Sequence, residues 1–216
     1  MKLKHLGIFG IISLLSYSAM VFFSPIAYPG YDWMSMAVSD LTARGAPSAE
    51  LAEQLNALFG PCAVVSAMAV TVIAGECRSR SLRIGFGFFA AMVWITVVGY
   101  KLFPLVPSES SSSFSNVMHI AVTVLVVLFS IISLILIMFG AKKEPFPLIG
   151  KWAAGCFLAM LIGAIGTSVM PKQVFGLFER FSTFSAVVFN TAAGACLWLE
   201  QFPCQKNQNE RNGQIC

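Results

Sequence analysis

Six apolar runs, each about as long as a bilayer is thick, constrain this chain more than any other feature. A helix needs roughly 20 mostly apolar residues to cross a hydrocarbon core. The runs 6–27, 55–75, 84–106, 117–140, 148–170 and 181–202 each reach that length. Composition agrees: 57% of residues are hydrophobic and 11% charged, whereas a soluble domain carries roughly 25% charged residues. So few charges cannot coat a water-facing surface of this size. The predicted fold is all-α: a polytopic membrane protein, built as a compact bundle of six transmembrane helices with a long first outer loop. Residues 1–203 form one domain in this reading, and 204–216 form a disordered cytoplasmic tail.

The first run resembles a signal peptide in one respect, since Lys2 and Lys4 precede it. It is longer than the roughly 7–15 residues of a usual signal-peptide core, and no small-x-small cleavage site ends it. It therefore reads as a retained helix.

Charge placement sets the expected orientation. With the N-terminus inside, the inner segments hold Lys2, Lys4, Arg78, Arg80, Arg83, Lys142, Lys143, Lys151, Lys206 and Arg211. The outer side holds Arg44, Lys101, Lys172 and Arg180. That split is ten against four, as the positive-inside rule requires. It predicts a plasma membrane protein of the bacterial inner-membrane type with both termini cytoplasmic. The net charge of +4 thus reports topology. No Lys/Arg stripe interleaves with aromatic residues, so a nucleic-acid partner is not expected.

The cysteines are Cys62, Cys77, Cys156, Cys196, Cys204 and Cys216. In this topology none lies in an outer loop, so no disulfide framework is expected. None has Cys/His zinc spacing, and a final Cys216 is not a prenylation box.

The connections are unequal. Turns 76–83 and 141–147 are tight and basic, whereas the first outer loop, 28–54, is long. Within it Ser48 is a candidate N-cap with Glu50 and Glu53 in the first turns. A helix starting there would run into the second span and kink at Gly60-Pro61. Pro25, Pro104 and Pro171 each stand near the end of an outward helix, as punctuation or as traces of a repeated hairpin. Gly155, Ala159 and Gly163 form a small-xxx-small face on the fifth span. Such a face serves packing within one bundle, and it also offers a route to a homo-oligomer. The alanine-flanked Gly194 offers a similar surface on the sixth.

No Asp, Glu, Lys, Arg or His falls in the middle of any predicted span. Proton relays and ion-coupled carriers usually need such groups. Asn190 is the most notable deep polar side chain, most simply an interhelical hydrogen-bonding residue. Polar chemistry gathers near the outer face instead. Asp32, Ser39, Asp40 and Arg44 come from the first loop and Asn56 from the second span. Lys101 closes the third span, His119 opens the fourth, and Glu179 and Arg180 start the sixth. Each has a plainer role. Arg180 and Lys101 can snorkel, His119 can face headgroups, and Asp40 can cap a short helix. Adjacent Glu179 and Arg180 point about 100° apart on a helix and do not pair with each other. An Arg180–Asp40 pair between elements is the favoured contact. The candidate ligand-binding set is Asp40, Arg44, Asn56, His119, Glu179 and Arg180. The candidate catalytic set is Ser39, Asp40 and His119, the right types for acid–base or nucleophilic work. One outer His among carboxylates is a weak zinc set. No cofactor motif is present, so neither a metal nor a cofactor is expected.

At these outer elements the chain resembles the DUF998 family of six-helix membrane proteins. The resemblance rests on four pieces in order. These are Val38-Ser39-Asp40-Leu41 with Arg44-Gly45-Ala46-Pro47, then Asn56 before Gly60. Phe103-Pro104 followed by His119 comes next, and Gly176-Leu177-Phe178-Glu179-Arg180 last. Many members of the family carry a Cys-Asp pair and a second Cys after the Phe-Pro; here the stretch reads Leu105-Val106-Pro107-Ser108-Glu109-Ser110. The resemblance implies a small helical bundle and no established activity. The leading functional expectation is binding of a membrane lipid or other amphiphile in an outward-facing polar pocket. A membrane-embedded hydrolase or transferase comes second, and a small transporter third.

Overall fold

The computed structural model describes residues 3–144 and 148–202, and no strand occurs among them. Chain order runs α1 (Ile8–Phe23), α2 (Val38–Leu41), α3 (Ala49–Leu55), α4 (Phe59–Ala74), α5 (Arg80–Leu102), α6 (Phe114–Ala141), α7 (Leu148–Val169) and α8 (Phe175–Trp198). Single 3₁₀ turns extend α1 at both ends, at Leu3–Gly7 and Ser24–Ala27, and another, Lys172–Val174, leads into α8. Six helical stretches are long and apolar enough to cross a membrane: Leu3–Ala27, Ala49–Ala74, Arg80–Leu102, Phe114–Ala141, Leu148–Val169 and Lys172–Trp198. This is an integral membrane protein. The expected tail after residue 203 lies outside the described residues.

The helices form a closed ring in the order α1, α4, α5, α6, α7, α8, with α4 also touching α8 across it. Phe86 and Phe89 of α5 meet Phe189 of α8 at ring-centre distances of 6.2 and 5.0 Å. Their large apolar areas lock the middle of the bundle. Parity then separates two ends. One, the loop face, carries segments 28–48, 103–113 and 170–174. There the Arg44 amide donates to the Leu105 carbonyl and the Leu177 amide to the Met34 carbonyl. At the other end Ser79 N–H donates to Glu144, and Lys4 pairs with Glu200.

Several boundaries differ from the sequence reading. The first outer connection is not a long loop. Two short helices, α2 and α3, occupy much of 28–54, and α3 already belongs to the second span. Val38 and Leu41, three apart, are buried together, and the Ser48 hydroxyl donates to the Leu41 carbonyl at 2.8 Å. Apolar residues at helical spacing and obligatory backbone pairing near lipid convert the loop into packed turns. The helix expected to bend at Gly60-Pro61 instead breaks at 56–58. A proline ring clashes with the carbonyl four residues back, here that of Ala57, so the interruption falls upstream and Pro61 sits in the first turn of α4. Ser48 stands before α3 but makes no side-chain cap there. Glu179 and Arg180 lie one turn inside α8.

Cysteine usage needs a correction as well. Cys77 is disulfide-bonded, whereas no disulfide was expected. Spacing along a chain does not show which cysteines approach within bonding distance; that depends on how the helices pack. Cys62, Cys156 and Cys196 are free and buried. The small-residue face of α7 divides: Gly163 packs inside the chain, where a Cβ would stand 2.5 Å from the Ser182 amide, and Gly155 faces open space.

Candidate functional site

The first turn of α8 and the segment 31–40 clamp one another. Gly176 makes the approach: a Cβ there would stand 2.1 Å from the Met36 carbonyl oxygen, so any side chain would push the segment away. The Leu177 amide donates to Met34 O at 3.1 Å. Arg180 Nη1 donates to the carbonyls of Trp33, Met36 and Gly176 at 2.7, 3.2 and 2.7 Å. Its Nη2 donates to the Tyr31 hydroxyl at 2.6 Å, and that hydroxyl donates onward to Ala37 O at 2.8 Å. The fork of guanidinium donors suits this task, since one planar group serves several acceptors at once.

Two carboxylates take up the opposite polarity at the start of α2. Asp40 Oδ2 accepts from the Ala37 amide at 2.8 Å, and Glu179 Oε2 accepts from the Val38 amide at 2.6 Å. The first N–H groups of a helix have no partner within it, and these two acids supply one each. Asp40, Glu179 and Arg180 are therefore brought to one place, but the favoured Asp40–Arg180 ion pair does not form. Backbone groups satisfy both. Around them, burial raises the Tyr31 hydroxyl above its ordinary pKa, with Arg180 opposing. Asp32 is held below the usual carboxylate range by hydrogen bonds from the Ser35 hydroxyl and the Met34 amide.

The remaining candidates lie apart from this clamp. His119 Nδ1 bonds the Phe103 carbonyl at 2.9 Å, and its ring lies 4.9 Å from that of Tyr100. It thus ties α6 to the end of α5. Arg44 is exposed. Asn56 caps the end of α3, and its Oδ1 is buried without a partner. Ser39 is half-buried beside Asp40. Among the described residues no hydrogen bond joins Ser39, Asp40 and His119, and no group of three metal-ligating side chains assembles.

Sequence reasoning missed Tyr31, Gly176 as a contact point, and Asn116. Asn116 Oδ1 accepts from Val106 N–H at 2.9 Å, and its Nδ2 donates to the carbonyls of Val106 and Ser110 at 3.0 and 3.1 Å. The signal was local: Asn116 stands three residues after Ser113, the N-cap of α6, whose Oγ accepts from its amide. A polar side chain in a first turn is well placed to hold the loop before it.

Beside the clamp a groove of about 420 Å³ runs between α7 and α8, lined by Trp152, Gly155, Ala159, Phe181 and Val188, with Arg180 among its polar lining. Gly155 keeps it open, because nothing stands within 4 Å of where its Cβ would be.

No curated protein matches the chain, and no solved structure does. Residues 11–195 match the family described as "Protein of unknown function (DUF998)". That stretch contains every candidate residue discussed above, and by it this chain belongs to the DUF998 family.

Proposed function

We propose that this protein binds a lipid-like amphiphile, with its hydrocarbon tail in the α7–α8 groove and its headgroup beside Arg180. The observation that carries this reading is the groove itself. It is apolar, it lies between two membrane-spanning helices, and an arginine stands among its lining. An apolar cleft with few polar anchors is the usual form of a small-ligand site. An arginine at the membrane boundary is attracted to polar headgroups. Nη1 and Nη2 of Arg180 hold the 31–40 segment, and its Nε–H takes part in none of those bonds. In this reading the ligand comes from the leaflet next to the loop face. The ten-to-four charge split supports making that the outer leaflet, with both termini in the cytoplasm.

The test is lipid retention. Protein is purified into lipid nanodiscs, stripped with detergent, and analysed by native mass spectrometry for bound lipid. Gly155→Leu fills the groove from an open position and should leave the fold intact, as checked by gel filtration. Wild type should retain lipid and the variant should lose it. Equal retention by both would remove the groove as the binding place.

A further inference from the structure

Three side-chain oxygens deep in the bundle lack a partner. Ser13 of α1 and Ser66 of α4 are fully buried, and Asn190 of α8 is 3% exposed. Ser13 Oγ, Ser66 Oγ and Asn190 Oδ1 make no hydrogen bond among the described residues. They share one seam. Asn190 Nδ2 donates to the Ala63 carbonyl at 3.3 Å, one turn before Ser66. A Cβ on Gly10 would stand 2.9 Å from Ser66 Oγ and 3.1 Å from Asn190 O. One on Gly194 would stand 2.6 Å from the same Oγ. Thr191 Oγ1 ties the two outer helices by donating to Gly10 O at 2.8 Å. Ser13 is one turn along α1 from Gly10, on the same face.

Some other hydroxyls in the spans are satisfied locally, although Ser24, Ser133 and Ser185 are also buried without a partner. Thr71, Thr96 and Ser130 each donate to the carbonyl one turn back, the usual way for a hydroxyl to satisfy itself in a helix. Ser13 and Ser66 forgo that bond. An unpartnered polar group in a dry interior is costly, and three together call for a common partner. The chemistry of the seam selects which. Its groups are neutral: two hydroxyls, a carboxamide and backbone carbonyls. A hard cation is commonly held by carboxylates, and an anion would need charged donors. Water, with two donors and two acceptors, suits neutral oxygens, and buried waters typically make about three such bonds.

We propose that the α1–α4–α8 seam is a water-binding site in which ordered water bridges Ser13, Ser66 and Asn190 within the membrane. Small neighbours, Gly10, Ala63 and Gly194, leave the seam narrow. Towards the terminal end it is sealed where a Cβ on Gly7 would stand 2.1 Å from Gly194 O.

Water-edited solid-state NMR of asparagine-labelled protein in bilayers tests this directly. The Asn190 side-chain signal is assigned by its loss in Asn190→Leu. Transfer of magnetisation from water to that signal is expected despite its depth, together with a lower melting temperature for Ser66→Ala. A dry seam predicts the reverse, because removing an orphaned hydroxyl would raise the melting temperature or leave it unchanged. Absence of water transfer to Asn190 overturns the proposal whatever the melting temperatures do. An Asn190 signal that shifts when sodium is replaced by potassium would overturn it in favour of a bound cation.

Discussion

Arg180 directs one planar cation at four acceptors, and its role is mechanical before it is anything else. Arg180→Ala would leave the carbonyls of Trp33 and Met36 and the Tyr31 hydroxyl without their donor. Hydrogen bonds to a charged group contribute about 1.5–3 kcal/mol each in favourable cases. The variant should lose stability on the order of 2–3 kcal/mol once water reaches the half-exposed end of the segment. Arg180→Lys should recover only part, since an ammonium lacks the fork. Asp40→Ala should cost about 1 kcal/mol, the usual effect of losing a helix-start acceptor. Thermal unfolding in nanodiscs would rank the three, and an Asp40 loss as large as that of Arg180 would mean that the two are paired after all. Tyr31 adds a pH dependence. Its folded pKa is raised by burial, so the neutral hydroxyl contributes stability below the unfolded value of about 10. That contribution is lost as pH rises through the higher folded value. Alkaline titration should therefore loosen wild type more than Tyr31→Phe, read as protease cleavage within 31–40.

At the scale of elements, the connections do more than join spans. Segment 31–40 is clamped to α8, and 103–113 is clamped to α6 by Asn116 and by Ser115, whose Oγ donates to Pro104 O at 2.8 Å. Asn116→Ala removes three bonds and leaves the Val106 amide to find another partner, while the Val106 carbonyl keeps the Glu109 N–H at 3.1 Å. A loss of about 1–3 kcal/mol is expected if that amide stays buried. Hydrogen exchange should rise at 105–110 and stay unchanged at 33–38. A rise in both would show that the two clamps form one cooperative unit.

For the whole molecule, the ring closes α8 against α1 and so brings the segment before α1 and the end of α8 to one face, where Lys4 pairs with Glu200. The Arg44–Leu105 bond sets one end of the bundle, and the Ser79–Glu144 bond sets the other. Reporter fusions or cysteine labelling in cells should find residues 45 and 112 on one side and residues 80 and 143 on the other. From the charge split, the first pair is expected to be external. Residue 143 outside with residue 45 inside would invert the protein and place the Arg180 groove in the inner leaflet. Residues 45 and 143 on the same side would break the six-span arrangement.

Hydropathy and spacing determined the number of spans, the helical class and the polar residues that share the loop face. Those properties follow from lipid being the solvent: each span must be apolar over a bilayer's thickness, so its length is written in consecutive residues. The same local logic placed Asp40 at a helix start. Partner choice followed no such rule. Asp40 and Arg180 were expected to seek each other as opposite charges, yet the Ala37 amide took Asp40, and the carbonyls of Trp33, Met36 and Gly176 took Arg180. Which amides and carbonyls lie within reach depends on how closely two segments pack, and that rested on the missing side chain of Gly176. His119 was read with the loop acids, but the α5–α6 packing turned it to Phe103. The groove lies between the consecutive helices α7 and α8, whereas the Ser13–Ser66–Asn190 seam joins elements distant in sequence. Only the closing of the ring brought them together, because contact between helices is decided by side-chain volumes summed across the bundle and not by any one stretch of chain.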